Sequence, residues 1–121
     1  MKTRILLIED NPQNRYLVTF LLEHRGYEVL QAETGPQGLA MAAEARPALI
    51  LLDIQLPGMD GYAVARALQS DPRVAAIPVV AVTSYAMTGD RERCLEAGAR
   101  GYIEKPINPE SFVAEVERFL R

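Results

Sequence analysis

Residues 49–53 read Leu-Ile-Leu-Leu-Asp, four consecutive apolar residues followed by an acid. A strand with one wet face alternates apolar and polar residues. An unbroken apolar run instead predicts a strand buried on both faces, as in a parallel sheet covered by helices. The chain carries five strand patterns, of which the second and the last are weak: Ile5–Ile8, Glu28–Gln31, Leu49–Leu52, Pro78–Val82 and Gly101–Ile103.

Segments with helical spacing of apolar residues lie between and after these runs. The first of them is followed by Gly26, and a glycine commonly stands just past a helix end. Asn108 or Pro109 is suited to start the last helix. The predicted helices are Pro12–Arg25, Gln37–Ala45, Gly61–Gln69, Asp90–Ala97 and Glu110–Leu120.

The order of elements is therefore β-α repeated five times. Right-handed crossovers and short loops then favour an α/β fold with an open, doubly wound, five-stranded parallel sheet. The first and fifth helices would cover one face, and the other three helices would cover the opposite face. A chain of 121 residues can form one sizeable core but not two. We therefore predict a single domain over residues 1–121, with no output domain.

Composition excludes several classes of function. Net charge is −3 and no basic cluster stands out, so nucleic-acid binding has little electrostatic support. The apolar runs are far shorter than the roughly 20 residues of a membrane-spanning helix, and no secretory signal is recognisable. The single cysteine, Cys94, cannot form an internal disulfide. These features predict a cytoplasmic protein without membrane insertion.

Residues with chemical potential follow the predicted strands. Glu9 and Asp10 follow the first strand, and Asp53 follows the third. Thr83 follows the fourth strand, and Lys105 lies just after the fifth. Ligands of doubly wound sheets bind at the carboxyl ends of the strands, near the switch point in strand order. We therefore expect three carboxylates, a hydroxyl and an ammonium group to converge at one edge.

This group of side chains favours phosphoryl chemistry. Three neighbouring carboxylates repel one another unless a cation joins them, and Mg²⁺ prefers oxygen ligands together with several waters. Carboxylates can accept phosphoryl groups covalently, and a lysine can pair with phosphoryl oxygens. Phosphoryl transfer needs mainly alignment and charge neutralisation. Each residue also has a purely structural interpretation, such as Asp10 or Asn11 capping the first helix before Pro12.

Four motifs resemble the response-regulator receiver family, the CheY-like domains of two-component signalling. They are Ile-Glu-Asp-Asn at 8–11, Leu-Asp-Ile-Gln-Leu-Pro-Gly-Met-Asp-Gly at 52–61, Val-Thr-Ser-Tyr-Ala at 82–86 and Lys-Pro at 105–106. The resemblance covers the chain from Lys2 to Leu120 and is strongest to free-standing receivers of the DivK type and to receivers of hybrid kinases. It implies the CheY-like, flavodoxin-like strand order 2-1-3-4-5.

The resemblance also implies a phosphorylation site and a metal site. Asp53 would be the phosphorylated carboxylate and a metal ligand. Asp10 would bind Mg²⁺ directly and Glu9 would bind it through water, with the backbone carbonyl of Gln55 as a further ligand. Mn²⁺ is expected to substitute for Mg²⁺.

The remaining matched positions imply a switch. Lys105 would stabilise the phosphoryl group, and the Thr83 hydroxyl would move to bind one of its oxygens. Tyr102 matches the aromatic residue that turns inward when the threonine moves. Pro106 matches a proline that commonly follows a cis peptide bond, here the bond from Lys105. The surface formed by the fourth helix, the fifth strand and the fifth helix would then change its affinity for a protein target.

The implied partners are a sensor histidine kinase or a histidine phosphotransfer protein as donor, and a downstream protein target. The protein would be a monomer or a weak dimer. It would not be an enzyme, apart from catalysing its own phosphorylation and dephosphorylation.

Other functions remain open at this level. A flavodoxin-like electron carrier shares the architecture, but Glu9 and Asp10 would repel its phosphate. A phosphatase of the haloacid-dehalogenase type would need an aspartate where Gln55 stands, because an amide cannot serve as a general acid. A receiver-shaped module that is never phosphorylated is a third possibility. A piece of a hybrid kinase is a fourth, although Met1 favours a whole protein.

Overall fold

The computed structural model describes residues 2–56, 58–84 and 90–120. In this part of the chain the strands are β1 (Arg4–Ile8), β2 (Glu28–Ala32), β3 (Leu49–Asp53), β4 (Val79–Thr83) and β5 (Gly101–Glu104). The helices are α1 (Pro12–His24), α2 (Gly35–Ala45), α3 (Gly61–Ser70), α4 (Asp90–Glu96) and α5 (Phe112–Arg118). No helix among the described residues is both long and apolar enough to cross a bilayer.

All neighbouring strands of the sheet run parallel, in the order β2-β1-β3-β4-β5. This order confirms the predicted one. The chain first moves outward from β1 to β2 and then returns to place β3 on the other side of β1. The switch point therefore lies between β1 and β3, where a crevice opens at the carboxyl ends of the strands.

Successive strand residues point to opposite faces of the sheet and contribute to two separate hydrophobic clusters, one on each face. Leu6 and Leu52 belong to the cluster that packs against α2, α3 and α4. Leu7 and Leu51 belong to the cluster that packs against α1 and α5. The predicted distribution of helices is therefore confirmed, and it explains why these strands lack polar positions.

Strands β3 and β4 each extend one residue further than their apolar runs predict. Asp53 pairs with Val82 in the parallel ladder, and the Ile54 amide donates to the Val82 carbonyl at 3.2 Å. Thr83 pairs with Glu104 in the same way. The acid and the hydroxyl are therefore strand residues held by the ladder, which fixes their backbone positions at the edge.

Helix α1 begins as its sequence indicates. The Asn11 side chain accepts a hydrogen bond from the Asn14 amide at 3.0 Å, and Pro12 occupies the first turn. The capping residue is thus Asn11 and not Asp10, the other candidate.

Helix α5 begins at Phe112, two residues later than predicted. The Asn108 side chain accepts from the Glu110 amide at 3.0 Å, and its carbonyl accepts from the Phe112 amide at 2.9 Å. These bonds close a turn that precedes the helix, whose N-cap is Ser111. The prediction that Asn108 or Pro109 starts the helix is therefore wrong: Asn108 organises the turn that leads into it.

Helix α3 begins in direct contact with the end of β3. A Cβ atom at Gly61 would lie 2.3 Å from the Cα of Ile54, which no side chain tolerates. The Gly61 amide donates to the Ile54 carbonyl at 2.9 Å, and Asp60 caps the helix by accepting from Ala63. Glycine is required here because the two backbones touch.

Candidate functional site

The three predicted carboxylates meet at the carboxyl edge of the sheet, on both sides of the switch point. Glu9 follows β1 and Asp53 ends β3, and each is only 2% exposed. Asp10 is exposed at the rim. Each residue offers one carboxylate oxygen, and these oxygens all lie within 4.8 Å of one another. The structure therefore brings together the acidic residues that the sequence places far apart.

Lys105 completes this cluster from the loop after β5. Its ammonium nitrogen lies 3.1 Å from Glu9 Oε1 and 3.2 Å from Asp53 Oδ2, and 14% of its side chain is exposed. The Lys105 amide donates to the Thr83 carbonyl at 2.8 Å. The peptide bond between Lys105 and Pro106 is cis, as the resemblance implies.

The single ammonium group of Lys105 does not neutralise the charge of the acidic cluster. Burial, followed by the hydrogen bond to Asp53 and its charge, raises the pKa of Glu9 to about 7. Burial alone would lower the pKa of Lys105, but the charges of Asp53 and Glu9 outweigh it and raise that pKa. With three ionised carboxylates against one ammonium, two negative charges remain. A proton or a divalent cation would relieve them.

The donor set fits a hard cation. All the clustered ligand atoms are carboxylate oxygens. Two of the three residues are buried: Asp53 is the last residue of β3, and Glu9 directly follows β1. Mg²⁺ prefers such oxygen ligands and completes its octahedron with water. An exposed carboxylate at Asp10 beside two buried ones leaves one side of the cluster open to solvent.

Gln55 lies beside the cluster and is half-buried. Its amide donates to Asp53 Oδ1 at 2.9 Å, which orients the carboxylate, and its side-chain oxygen accepts a hydrogen bond from the Ser84 hydroxyl. The Gln55–Ser84 bond links the ends of β3 and β4 across the rim. That Gln55 offers its backbone carbonyl to a metal stays a prediction.

Thr83 and Tyr102 occupy one face of the sheet. Thr83 ends β4 and is 1% exposed. Tyr102 pairs with Ala81, two residues before Thr83, and packs against the cluster beneath α2, α3 and α4. The Arg91 guanidinium lies 5.7 Å from the centre of the Tyr102 ring. Tyr85 of the third motif lies outside the described residues.

One contact at this edge escaped the sequence reasoning. Arg15 of α1 donates from one nitrogen to the carbonyls of Glu9 and Asp10, at 3.0 and 2.9 Å. Its other terminal nitrogen lies 3.1 Å from Glu33 Oε1, in the connection between β2 and α2. The usable signal was position: a helix starting at Pro12 places Arg15 in its first turn, above the preceding loop.

Comparison with known proteins gives one consistent result. Residues 5–117 match the family described as the response regulator receiver domain. The chain is 41% identical over 120 residues to the polar-differentiation response regulator DivK of Brucella anthropi, covering 99% of this chain and 98% of that protein.

Solved structures give the same picture. The chemotaxis protein CheY4 of Vibrio cholerae superposes with a TM-score of 0.93 at 28% identity, covering 98% of this chain and 99% of that one. The receiver domain of the Pseudomonas aeruginosa sensor histidine kinase PA1611 has a TM-score of 0.90 at 34% identity, with coverage of 99% and 98%. That receiver was solved with a magnesium ion coordinated in its active-site cleft.

Proposed function

The chain belongs to the response-regulator receiver family of two-component signalling, and on this premise we propose that it is a switch operated by phosphorylation of Asp53. The observation that carries the proposal is the environment of this carboxylate. It ends a central strand, lies 3.2 Å from the Lys105 ammonium and shares a cluster with Glu9 and Asp10. An acceptor needs this combination of fixed position and nearby positive charge.

A divalent cation is part of this proposal. Asp10 and Asp53 would hold Mg²⁺ directly, Glu9 would hold it through water, and the Gln55 carbonyl would complete the protein ligands. When bound, Mg²⁺ supplies charge neutralisation for the incoming phosphoryl oxygens. Mn²⁺ accepts the same oxygen donors and is expected to substitute. The PA1611 receiver, with magnesium in its cleft, supports this assignment.

The phosphoryl group would come from a phosphohistidine on a sensor histidine kinase or a histidine phosphotransfer protein. A carboxylate oxygen of Asp53 attacks phosphorus, the bond from phosphorus to the histidine nitrogen breaks, and the imidazole leaves. Lys105 then pairs with the phosphoryl oxygens instead of with the carboxylate. The chain would catalyse only this transfer and the later hydrolysis of its own acyl phosphate.

The output would be a change in affinity for a protein target. Phosphorylation replaces the single negative charge of the Asp53 carboxylate with up to two on the acyl phosphate, and it adds new acceptor oxygens at the edge of the sheet. The Thr83 hydroxyl would contact a phosphoryl oxygen only in the phosphorylated state, which shifts the equilibrium towards that conformation. Tyr102 would then move into the space vacated by Thr83. The surface of α4, β5 and α5 would carry the difference to the target.

We further propose that this receiver acts as a cytoplasmic regulator, as a monomer or a weak dimer, without nucleic-acid or membrane partners. Its support is the match to 98% of the length of the DivK regulator and the net charge of −3. The family match disfavours the flavodoxin-like and phosphatase alternatives. The alternatives that the family match does not separate are a receiver that is never phosphorylated and a receiver that is a piece of a hybrid kinase.

The test is intact-mass analysis after incubation with a small phosphodonor such as acetyl phosphate. With Mg²⁺, the wild-type chain gains the mass of one phosphoryl group, and with a chelator the gain is lost. Asp53→Asn abolishes it, whereas Asp71→Asn, at a half-buried aspartate just after α3, leaves it intact. A wild-type chain that stays unmodified, or an Asp53→Asn chain that still gains mass, would refute the proposal.

A further inference from the structure

Arg15 ties together three segments that surround the acidic cluster. One nitrogen of its guanidinium donates to the carbonyls of two consecutive residues, Glu9 and Asp10. The other terminal nitrogen pairs with Glu33. Only 15% of the Arg15 side chain is exposed, whereas 64% of the Glu33 side chain is, so the ion pair is partly exposed while the guanidinium itself is largely covered. The arginine thus holds the backbone that carries two of the three clustered carboxylates.

The other contacts of this loop leave Asp10 dependent on Arg15. The Glu9 amide is fixed by the Ala32 carbonyl at 2.9 Å, and the Glu9 carboxylate accepts from the Asn11 amide at 3.2 Å. Asp10 is exposed, and within the described part of the chain the hydrogen bond that its carbonyl accepts comes from Arg15, at 2.9 Å. A charged, planar donor makes stronger and better-oriented hydrogen bonds than a neutral one.

We propose that Arg15 is a positioning residue for the divalent cation site. The inference rests on the proposed function, because it takes the cation to bind at Glu9, Asp10 and Asp53. Arg15 contacts none of the carboxylates of this cluster in the described contacts. It acts by holding the Glu9–Asp10 backbone, so that these carboxylates stay close to Asp53 before the cation arrives.

The charge of Arg15 makes the proposal easy to test, because its two possible effects have opposite signs. A nearby guanidinium repels Mg²⁺, so if charge were its only influence, removing it would tighten binding. If Arg15 positions the loop, removing it weakens binding, since outer contacts of a metal site commonly contribute about tenfold or more in affinity. The direction of the change in Kd therefore separates positioning from electrostatics.

The experiment is calorimetric titration of Mg²⁺ into wild-type, Arg15→Met and Arg15→Lys chains at constant ionic strength. Arg15→Met is expected to raise the Kd about tenfold. Arg15→Lys keeps the charge but loses the fork of donors, and its Kd should fall between the other two. A Kd that is unchanged or lower in Arg15→Met would overturn the inference.

A gentler variant guards against loss of folding. Glu33→Asp keeps the charge of the partner but shortens its reach, so it loosens Arg15 without altering the local electrostatics. It should raise the Kd about twofold, within the range of a partly exposed ion pair. If Arg15→Met fails to fold, unchanged affinities in both Glu33→Asp and Arg15→Lys overturn the inference.

Arg73→Met is the matched control, because Arg73 also pairs with a carboxylate, Asp71 at 2.8 Å, but beyond the far end of α3. Its Kd should equal that of the wild type. The thermal stability of the chelator-treated variants is measured as well. If Arg15 is merely structural, Arg15→Met lowers the stability and leaves the Kd unchanged. That result overturns the inference about Arg15 but not the proposed metal site. A wild-type chain that binds no Mg²⁺ overturns the proposed metal site as well.

Discussion

Two groups of ion pairs in this chain have similar distances and opposite electrostatic character. Lys105 lies 3.1 and 3.2 Å from Glu9 and Asp53 in a buried cluster, whereas Arg73 lies 2.8 Å from Asp71 with 63% of its side chain exposed. Burial and Asp53 raise the pKa of Glu9 to about 7. Hydrogen bonds from Arg73 lower the pKa of Asp71.

The difference shows that contact distance does not determine what an ion pair contributes. The exposed pair balances one charge with another and remains largely solvated, so it contributes little to stability. The buried cluster has more carboxylates than cations, and its folded state carries an unfavourable charge that a ligand can relieve. A site of this kind is less stable than it could be, which is the usual condition for binding an external cation.

The largest test of this contrast removes the central cation. Lys105→Met is expected to lower the free energy of unfolding of the metal-free protein by about 3 kcal/mol, because two buried carboxylates lose their counterion. Arg73→Met, at the exposed pair, should leave it unchanged within error. Urea denaturation in the presence of a chelator measures both. Equal losses of unfolding free energy in the two variants would show that burial does not distinguish the Lys105 cluster from the Arg73–Asp71 pair.

The second test uses pH. The pKa of Glu9 in the folded protein, about 7, is above its ordinary value of 4.5. Its stabilising contribution is therefore complete below pH 4.5 and is lost as the pH rises through 7. Relative to Glu9→Gln, metal-free wild-type protein should lose about 3 kcal/mol of stability across this interval, because each pKa unit corresponds to about 1.4 kcal/mol.

The exposed pair should show the opposite pH dependence. Because the pKa of Asp71 is lowered, its contribution is present above the ordinary value of 3.8 and is lost as the pH falls below it. Denaturation curves of wild type, Glu9→Gln and Asp71→Asn over a pH series measure both effects. A constant difference between wild type and Glu9→Gln would contradict the assignment for the buried cluster.

The smallest test removes one carboxylate. Asp53→Asn should stabilise the metal-free protein by about 1 kcal/mol at neutral pH, since repulsion falls while the amide oxygen can still accept from Gln55. Mg²⁺ at ten times its Kd should stabilise the wild type by about 1.4 kcal/mol and the variant by less. Thermal melts with and without Mg²⁺ check whether the variant is the more stable protein without the cation and gains less stability from it than the wild type does. A metal-free variant less stable than wild type would exclude stored repulsion at Asp53.

Much of the fold follows from local patterns. Unbroken apolar runs such as Leu49–Leu52 identify strands covered on both faces, and the alternation of strands and helices then restricts the topology to few forms. The first and last residues of helices and strands are harder to predict from local patterns, because they depend on contacts with neighbouring segments. Asp53 belongs to β3 through its pairing with Val82, and α5 starts late because Asn108 closes a turn first.

The site residues that lie at strand ends could be predicted from the sequence. The residues whose contacts depend on loop conformation were harder to predict. Glu9, Asp53 and Lys105 were found because parallel strands deliver their carboxyl ends to one edge. Arg15 looks like an ordinary residue of an amphipathic helix in sequence. Its contacts depend on two carbonyls that turn towards it only when the loop folds, and no side-chain pattern encodes that arrangement.

The contact between Gly61 and Ile54 has a practical consequence for redesigning this protein. The glycine rests on the strand that carries Asp53, and its amide closes a hydrogen bond to Ile54. The connection between these two residues is therefore a loop with both ends fastened at a single point. Redesign of this rim for altered recognition must therefore keep glycine at position 61, because any side chain there would push against the backbone next to the acceptor.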